Sequence, residues 1–158
     1  QRLDHREIGM HRLLADDAGA PSIGYNITLP HEQEPNAYST PDLTFRFHYF
    51  AMRKMHLAMR ANALVAFPGG FGTLDELFEG MTLRQTGKGR DIPIILFGES
   101  YWRDIINFDR LLAEGVIGPE DMNVFDFADS ARQAWDKIRQ TCCGTLLAEG
   151  GHEAKRGD

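Results

Sequence analysis

Residues 67–76 read Phe67-Pro68-Gly69-Gly70-Phe71-Gly72-Thr73-Leu74-Asp75-Glu76, a string that brings three glycines, a hydroxyl and two carboxylates together. Gly69, Gly70 and Gly72 permit positive φ and carry no side chain that would keep a ligand from the backbone. Thr73 is a good N-cap, and Glu76 three residues on completes a capping box ahead of the apolar spacing Leu74, Leu77, Phe78 and Met81. Unpaired N–H groups at a helix start, with the positive end of its dipole, suit a phosphate. For the glycines alone, a tight strand-to-helix turn explains the string as well. Neither the Walker spacing, with its Lys after the last Gly, nor G-x-G-x-x-G is present. A second group, Arg53, Lys54, His56 and Arg60, falls upstream at helical spacing. An Arg fork there could clamp phosphate or ribose oxygens, although such charges also make an ordinary solvated face.

These residues need elements to hold them. Ala63 to Phe67 is a short apolar run closed by Pro68, which fits a buried central strand whose ladder ends where the N–H is lost. Ile8 to Ala18 fits a short amphipathic helix ended by Gly19, Ser22 to Ile27 a buried strand, and Leu29 to Asn36 a polar loop at that strand's end. Leu43 to Phe47 alternates as a strand, and a helix follows from about Tyr49 to Ala61, whose methionines Met52, Met55 and Met59 read as core. Gly87 to Asp91 is a turn, Ile92 to Phe97 a buried strand, and Tyr101 to Ala113 a helix. Asn123 to Phe127 reads as a last strand, with Asp129 or Ser130 capping a final helix through about Arg139. Strands alternating with helices predict an α/β fold, a Rossmann-like doubly wound parallel sheet with helices on both faces. Residues 1–140 are expected to form a single nucleotide-binding domain, and residues 141–158 a polar C-terminal tail.

The bulk numbers agree with such a fold. A chain of 158 residues with 42% hydrophobic and 25% charged residues fits one globular domain. No apolar run approaches the roughly 20 residues of a membrane span, and Gln1 to Arg6 holds no apolar leader core, so a cytoplasmic protein is expected. A net charge of −6 gives no footprint for duplex nucleic acid. Cys142 and Cys143 are adjacent and set no disulfide framework, and the scattered His and Cys show no metal-ligand spacing.

The string from Pro68 to Glu76 resembles the P-G-G-x-G-T-x-x-E signature of the Lonely Guy (LOG) family, whose bacterial members are often labelled "possible lysine decarboxylase". Met52-Arg53-Lys54 is similar to the family's M-x-x-R-K element, and Thr82-Leu83-Arg84-Gln85-Thr86-Gly87 to its T-x-x-Q-x-G. The likeness covers about Ser22 to Arg139. It implies hydrolysis of the N-glycosidic bond of a purine or cytokinin nucleoside 5'-monophosphate, AMP-like, to free base and ribose 5-phosphate. It implies Arg53 and Glu76 as the catalytic pair, and Lys54, Gly69, Gly70, Gly72, Thr73 and Thr82 as substrate-binding positions. No cofactor or metal is expected, nor a membrane or nucleic-acid partner; a homo-oligomer of at least two copies is implied. Lysine decarboxylation by pyridoxal phosphate needs a Schiff-base lysine, and Lys54, Lys88, Lys137 and Lys155 stand in no setting that suggests one.

The family's earlier G-G-G-x-G loop would fall at about Arg2 to Arg6, where no glycine stands. The expectation is therefore of a sheet lacking its first strand or strands, in a truncated or diverged chain. That leaves two further readings: a nucleotide- or phosphate-binding protein without turnover, and a subunit inactive alone.

Overall fold

The computed structural model describes residues 19–28 and 39–149, with backbone alone for 142–149. The helix expected over Ile8 to Ala18, the loop Leu29 to Asn36 and the Arg2 to Arg6 stretch lie outside the described residues. The chain divides into two compact units, Gln1–Leu57 and Ala58–Asp158.

In the first unit, β1 (Gly24–Ile27) pairs parallel with β2 (Thr44–Phe47), Gly24 opposite Thr44 and Ile27 opposite Phe47. A 3₁₀ turn, Pro41–Leu43, precedes β2 and takes up the residue expected to open it. Ring contacts bind the pair across the register: Tyr25 lies 5.8 Å from Phe45 and 5.6 Å from Phe47 between centroids. Phe47 in turn lies 5.4 Å from His56 on helix α1 (Phe50–Arg60), whose last residues run past the division between the units. The methionine stripe of α1 is not core. Met52, Met55 and Met59 are 44%, 43% and 61% exposed, whereas Arg53, Lys54, His56 and Leu57 are half-buried. The sheltered side of the helix is the one that carries the charges, and periodicity alone cannot say which of two faces turns inward.

The second unit holds a parallel sheet in the order β3-β4-β5, with β3 at Leu64–Ala66, β4 at Ile94–Phe97 and β5 at Asp126–Ala128. Helix α2 spans Phe71–Gln85, α3 Glu99–Ile105, α4 Phe108–Ala113 and α5 Ala131–Glu149. Alternation along β4 sends Ile94 and Leu96 to one face, where they meet Leu77, Trp102, Phe108 and Phe125. Ile95 goes to the other face with Ala128 and Ala134. Helices thus cover the sheet on both faces, as buried parallel strands require, and the α/β architecture with parallel sheets agrees with the Rossmann-like expectation.

Several boundaries differ from expectation: β1 begins at Gly24 and β4 at Ile94, each two residues late, and four further differences bear on the helices and the last strand. The helix expected over Tyr101 to Ala113 is two helices, because Ile106 is extended (φ −125°, ψ 111°) and Asn107 restarts the chain by accepting the Arg110 N–H at 2.8 Å. The strand expected over Asn123 to Phe127 begins only at Asp126, since a 3₁₀ turn, Pro119–Asn123, occupies its start. Helix α5 continues past Arg139 to Glu149, through Leu146, Leu147 and Ala148, all good helix formers. Helix α2 begins at Phe71, ahead of the expected cap. Of the two caps offered for α5, Ser130 accepts the Gln133 N–H at 3.2 Å, while Asp129 accepts the Glu99 N–H of α3 at 2.9 Å. No helix among the described residues is long and apolar enough to cross a membrane.

Leu77 is 1% exposed in the main core cluster. Leu77→Ala is expected to destabilise the second unit by about 2–5 kcal/mol, lowering the urea midpoint by about 1–2 M with the slope unchanged. A midpoint within error of the parent's would show that this core does not carry the unit's stability.

Candidate active site

Strand β3 ends at Ala66, and Phe67 to Gly70 carry the chain into helix α2. The helix N-cap is Gly70, with no side-chain cap, and the first intrahelical bond runs from the Leu74 N–H to the Gly70 carbonyl at 3.1 Å. The expected cap at Thr73 and its box with Glu76 are therefore overturned: both residues lie inside the helix, where an N-cap geometry is not available. The N–H groups of Phe71, Gly72 and Thr73 precede that first bond and so have no acceptor within the helix. Glu76 sits one turn further on, half-buried.

The glycines are not there for positive φ either. Among the described residues only Gly19, Gly87, Gly98 and Gly115 adopt it, so that expectation for Gly69, Gly70 and Gly72 is corrected. Gly69 has a packing reason. A Cβ there would stand 2.9 Å from Thr73 Cβ and closer still to Thr73 Oγ1. Gly70 and Gly72 have none, since among the described residues nothing lies within 4 Å of the place a Cβ would take. Gly72, inside the first turn, costs roughly 0.5–1 kcal/mol against alanine with no dihedral to demand it, whereas at the cap, Gly70, glycine is itself preferred over alanine.

The turn is held from the next strand. Phe67 packs on Phe97 at 4.8 Å between ring centroids. Gly98 follows β4 at φ 87°, with Pro68 Cγ lying 3.6 Å from where its Cβ would be. The Tyr101 hydroxyl accepts the Gly69 N–H at 3.2 Å and donates to the Gly69 carbonyl at 2.6 Å. The sequence carried no signal for Tyr101, which lies 32 residues from its partner.

The structure brings Gly69, Gly70, Gly72, Thr73 and Glu76 together at one strand-to-helix turn. Thr82 lies on the same helix near its other end, about 13 Å along the axis from Thr73 at 1.5 Å per residue. Its hydroxyl donates to the Phe78 carbonyl at 2.7 Å. Gly87, the last residue of the T-x-x-Q-x-G string, has φ 63° and follows the end of α2, the usual use of a glycine there. Arg53 and Lys54 stand side by side on α1 in the first unit, and the Arg53 guanidinium carbon lies 5.8 Å from the Phe50 ring centroid. Of the lysines, Lys137 is bound to Asp126 at 2.7 Å, Lys88 is exposed, and Lys155 lies outside the described residues. Among the described residues there is no group of three or more His, Cys, Asp or Glu fit to hold a metal ion.

A family profile described as "possible lysine decarboxylase" matches residues 8–138. The chain belongs to that family. Its curated relatives include a cytokinin riboside 5'-monophosphate phosphoribohydrolase of Arabidopsis thaliana, 36% identical over 88 residues, 54% of this chain and 41% of the relative. A probable enzyme of the same name from Oryza sativa subsp. japonica is 33% identical over 101 residues, 63% of this chain and 44% of the relative. A second from that plant is 33% identical over 89 residues, 56% of this chain and 42% of the relative. The chain thus spans less than half the length of these relatives, all of them LOG proteins.

The two kinds of glycine separate in a stability measurement. Gly72→Ala is expected to raise the melting temperature by about 2–4 °C, following a gain of roughly 0.5–1 kcal/mol. Gly69→Ala is expected to lower it, because the new methyl meets a β-branched neighbour. Equal shifts for the two variants would remove the distinction.

Proposed function

We propose that the protein hydrolyses the N-glycosidic bond of a nucleoside 5'-monophosphate, releasing the base and ribose 5-phosphate, with cytokinin riboside 5'-monophosphates and AMP as the substrates to try. The observation that carries this reading is Gly72, bare of a side chain inside the first turn of α2 where nothing among the described residues demands a glycine, beside the open cap Gly70 and with Glu76 one turn along the same helix. Membership of the family and the names of its curated relatives point the same way.

In this reading the 5'-phosphate lies against the N–H groups that open α2, with the hydroxyl of Thr73 beside them. Phosphate binding remote from the scissile bond orients that bond. As the C1'–N bond breaks, its electron pair leaves with the base and positive charge grows on the ribose. The Glu76 carboxylate stabilises that charge and takes a proton from the attacking water, whose oxygen bonds to C1'. The departing base nitrogen gains a proton. Arg53 supplies a fixed charge and a planar fork for phosphate or ribose oxygens, with Lys54 as a further phosphate contact. Thr82 is retained as a substrate-binding position to be tested, and an assembly of at least two copies belongs to the same reading.

Chromatographic detection of base released from AMP and from a cytokinin riboside 5'-monophosphate tests it. Glu76→Gln is expected to cut turnover by at least about a hundredfold, in the range of lost general-base catalysis, while nucleotide still binds. Parent-like turnover by that variant would exclude Glu76 from the chemistry. Arg53→Lys keeps the charge and loses the fork, so KM is expected to rise by about tenfold or more. An unchanged KM would count against a bidentate clamp.

A further inference from the structure

We propose that Tyr101 is a positioning residue for the phosphate-binding turn, and that the N–H of Gly69 is closed to substrate because the Tyr101 hydroxyl holds it. This deepens the phosphoribohydrolase reading and rests on it for the identity of the ligand. The geometry of the turn rests on the structure alone.

A backbone segment with two successive glycines has few side-chain contacts to fix it. Here one hydroxyl takes both backbone groups of Gly69, accepting from its N–H at 3.2 Å and donating to its carbonyl at 2.6 Å. That hydroxyl is itself well anchored. The Tyr101 ring stands edge-on to Trp102, 5.2 Å between centroids and 86° between planes. Trp102 is fully buried, and its indole N–H donates to the Phe97 carbonyl at 3.0 Å. The chain of contacts runs from β4 through Trp102 and Tyr101 to the residue before the helix cap. Tyr101 therefore sets where Gly70 begins α2, and with it the positions of the Phe71, Gly72 and Thr73 amides. Holding donors in place before binding spares the cost of ordering them afterwards.

Gly69 is consequently a glycine for space. Its donor is spent inside the protein, and its missing side chain makes room for Thr73. The phosphate is left to the amides that follow.

Tyr101→Phe removes the hydroxyl and keeps the ring against Trp102. Two measurements read the outcome. In the nucleotide-free protein, amide hydrogen exchange at Gly69 is expected to quicken by about tenfold, the worth of one or two hydrogen bonds, while β4 amides keep the parent's rates. In the AMP assay KM is expected to rise by about tenfold with kcat within about threefold of the parent, because the hydroxyl orders the binding turn and touches no reacting atom. Unchanged exchange at Gly69 would overturn the inference whatever the enzyme does. So would a fall in kcat at constant KM. If the parent neither binds nor cleaves AMP, the phosphoribohydrolase reading falls by itself, and exchange at Gly69 still decides whether Tyr101 fixes the turn.

Discussion

Strand β4 has no side that faces water. Ile94, Ile95 and Leu96 are at most 1% exposed, so both faces must be covered and both edges must be paired to satisfy their backbone groups. That single requirement places β3 and β5 in parallel on either side and packs helices above and below. It also aligns three strand ends in one row, the place where open α/β sheets collect their ligands. After β3 comes the glycine turn; after β4 come Gly98 and, on α3, Tyr101; after β5 comes Asp129, which accepts the first N–H of α3. The site's supports are by-products of burying one strand.

The turn itself runs against stability. Gly72 answers to no dihedral and to no neighbour among the described residues, and it forgoes the modest gain that alanine would give inside the first turn. Proteins tolerate such local losses where a ligand must come close to the backbone. The charged side of α1 shows the same tension. Arg53 and Lys54 are more sheltered than the methionines on the opposite face, a poor arrangement for a helix that served only to fill a core.

Much of this was legible in the residues, and the failures share a cause. The apolar runs gave away β3 and β4, but the central strand expected at Ala63 to Phe67 is corrected: among the described residues β4 is the central, doubly buried strand, and β3 lies at the edge of that sheet with Leu64 and Val65 half-buried. The turn and the helix after it followed from Pro68, the glycines and the spacing of Leu74, Leu77 and Met81. Cap chemistry misled at Thr73, because a Thr-x-x-Glu pattern can sit inside a first turn as easily as before it. Asn107 was the missed signal that splits α3 from α4; apolar periodicity runs through the break and hides it. The inward face of α1 depends on what the helix packs against, which no window of its own sequence contains. Tyr101 lies beyond any local rule, since its role exists only when β3 and β4 stand side by side.

The outward methionines of α1 give that helix a chemical sensitivity that the rest of the described chain does not share to the same degree. Met81 and Met122 are partly buried against the core of the second unit, whereas Met52, Met55 and Met59 are exposed residues. Peroxide reaches such sulfurs first, and each sulfoxide formed turns an apolar, flexible side chain into a polar one. Oxidative damage would therefore be written on the helix that carries Arg53 and Lys54 before it reached the packing beneath the glycine turn.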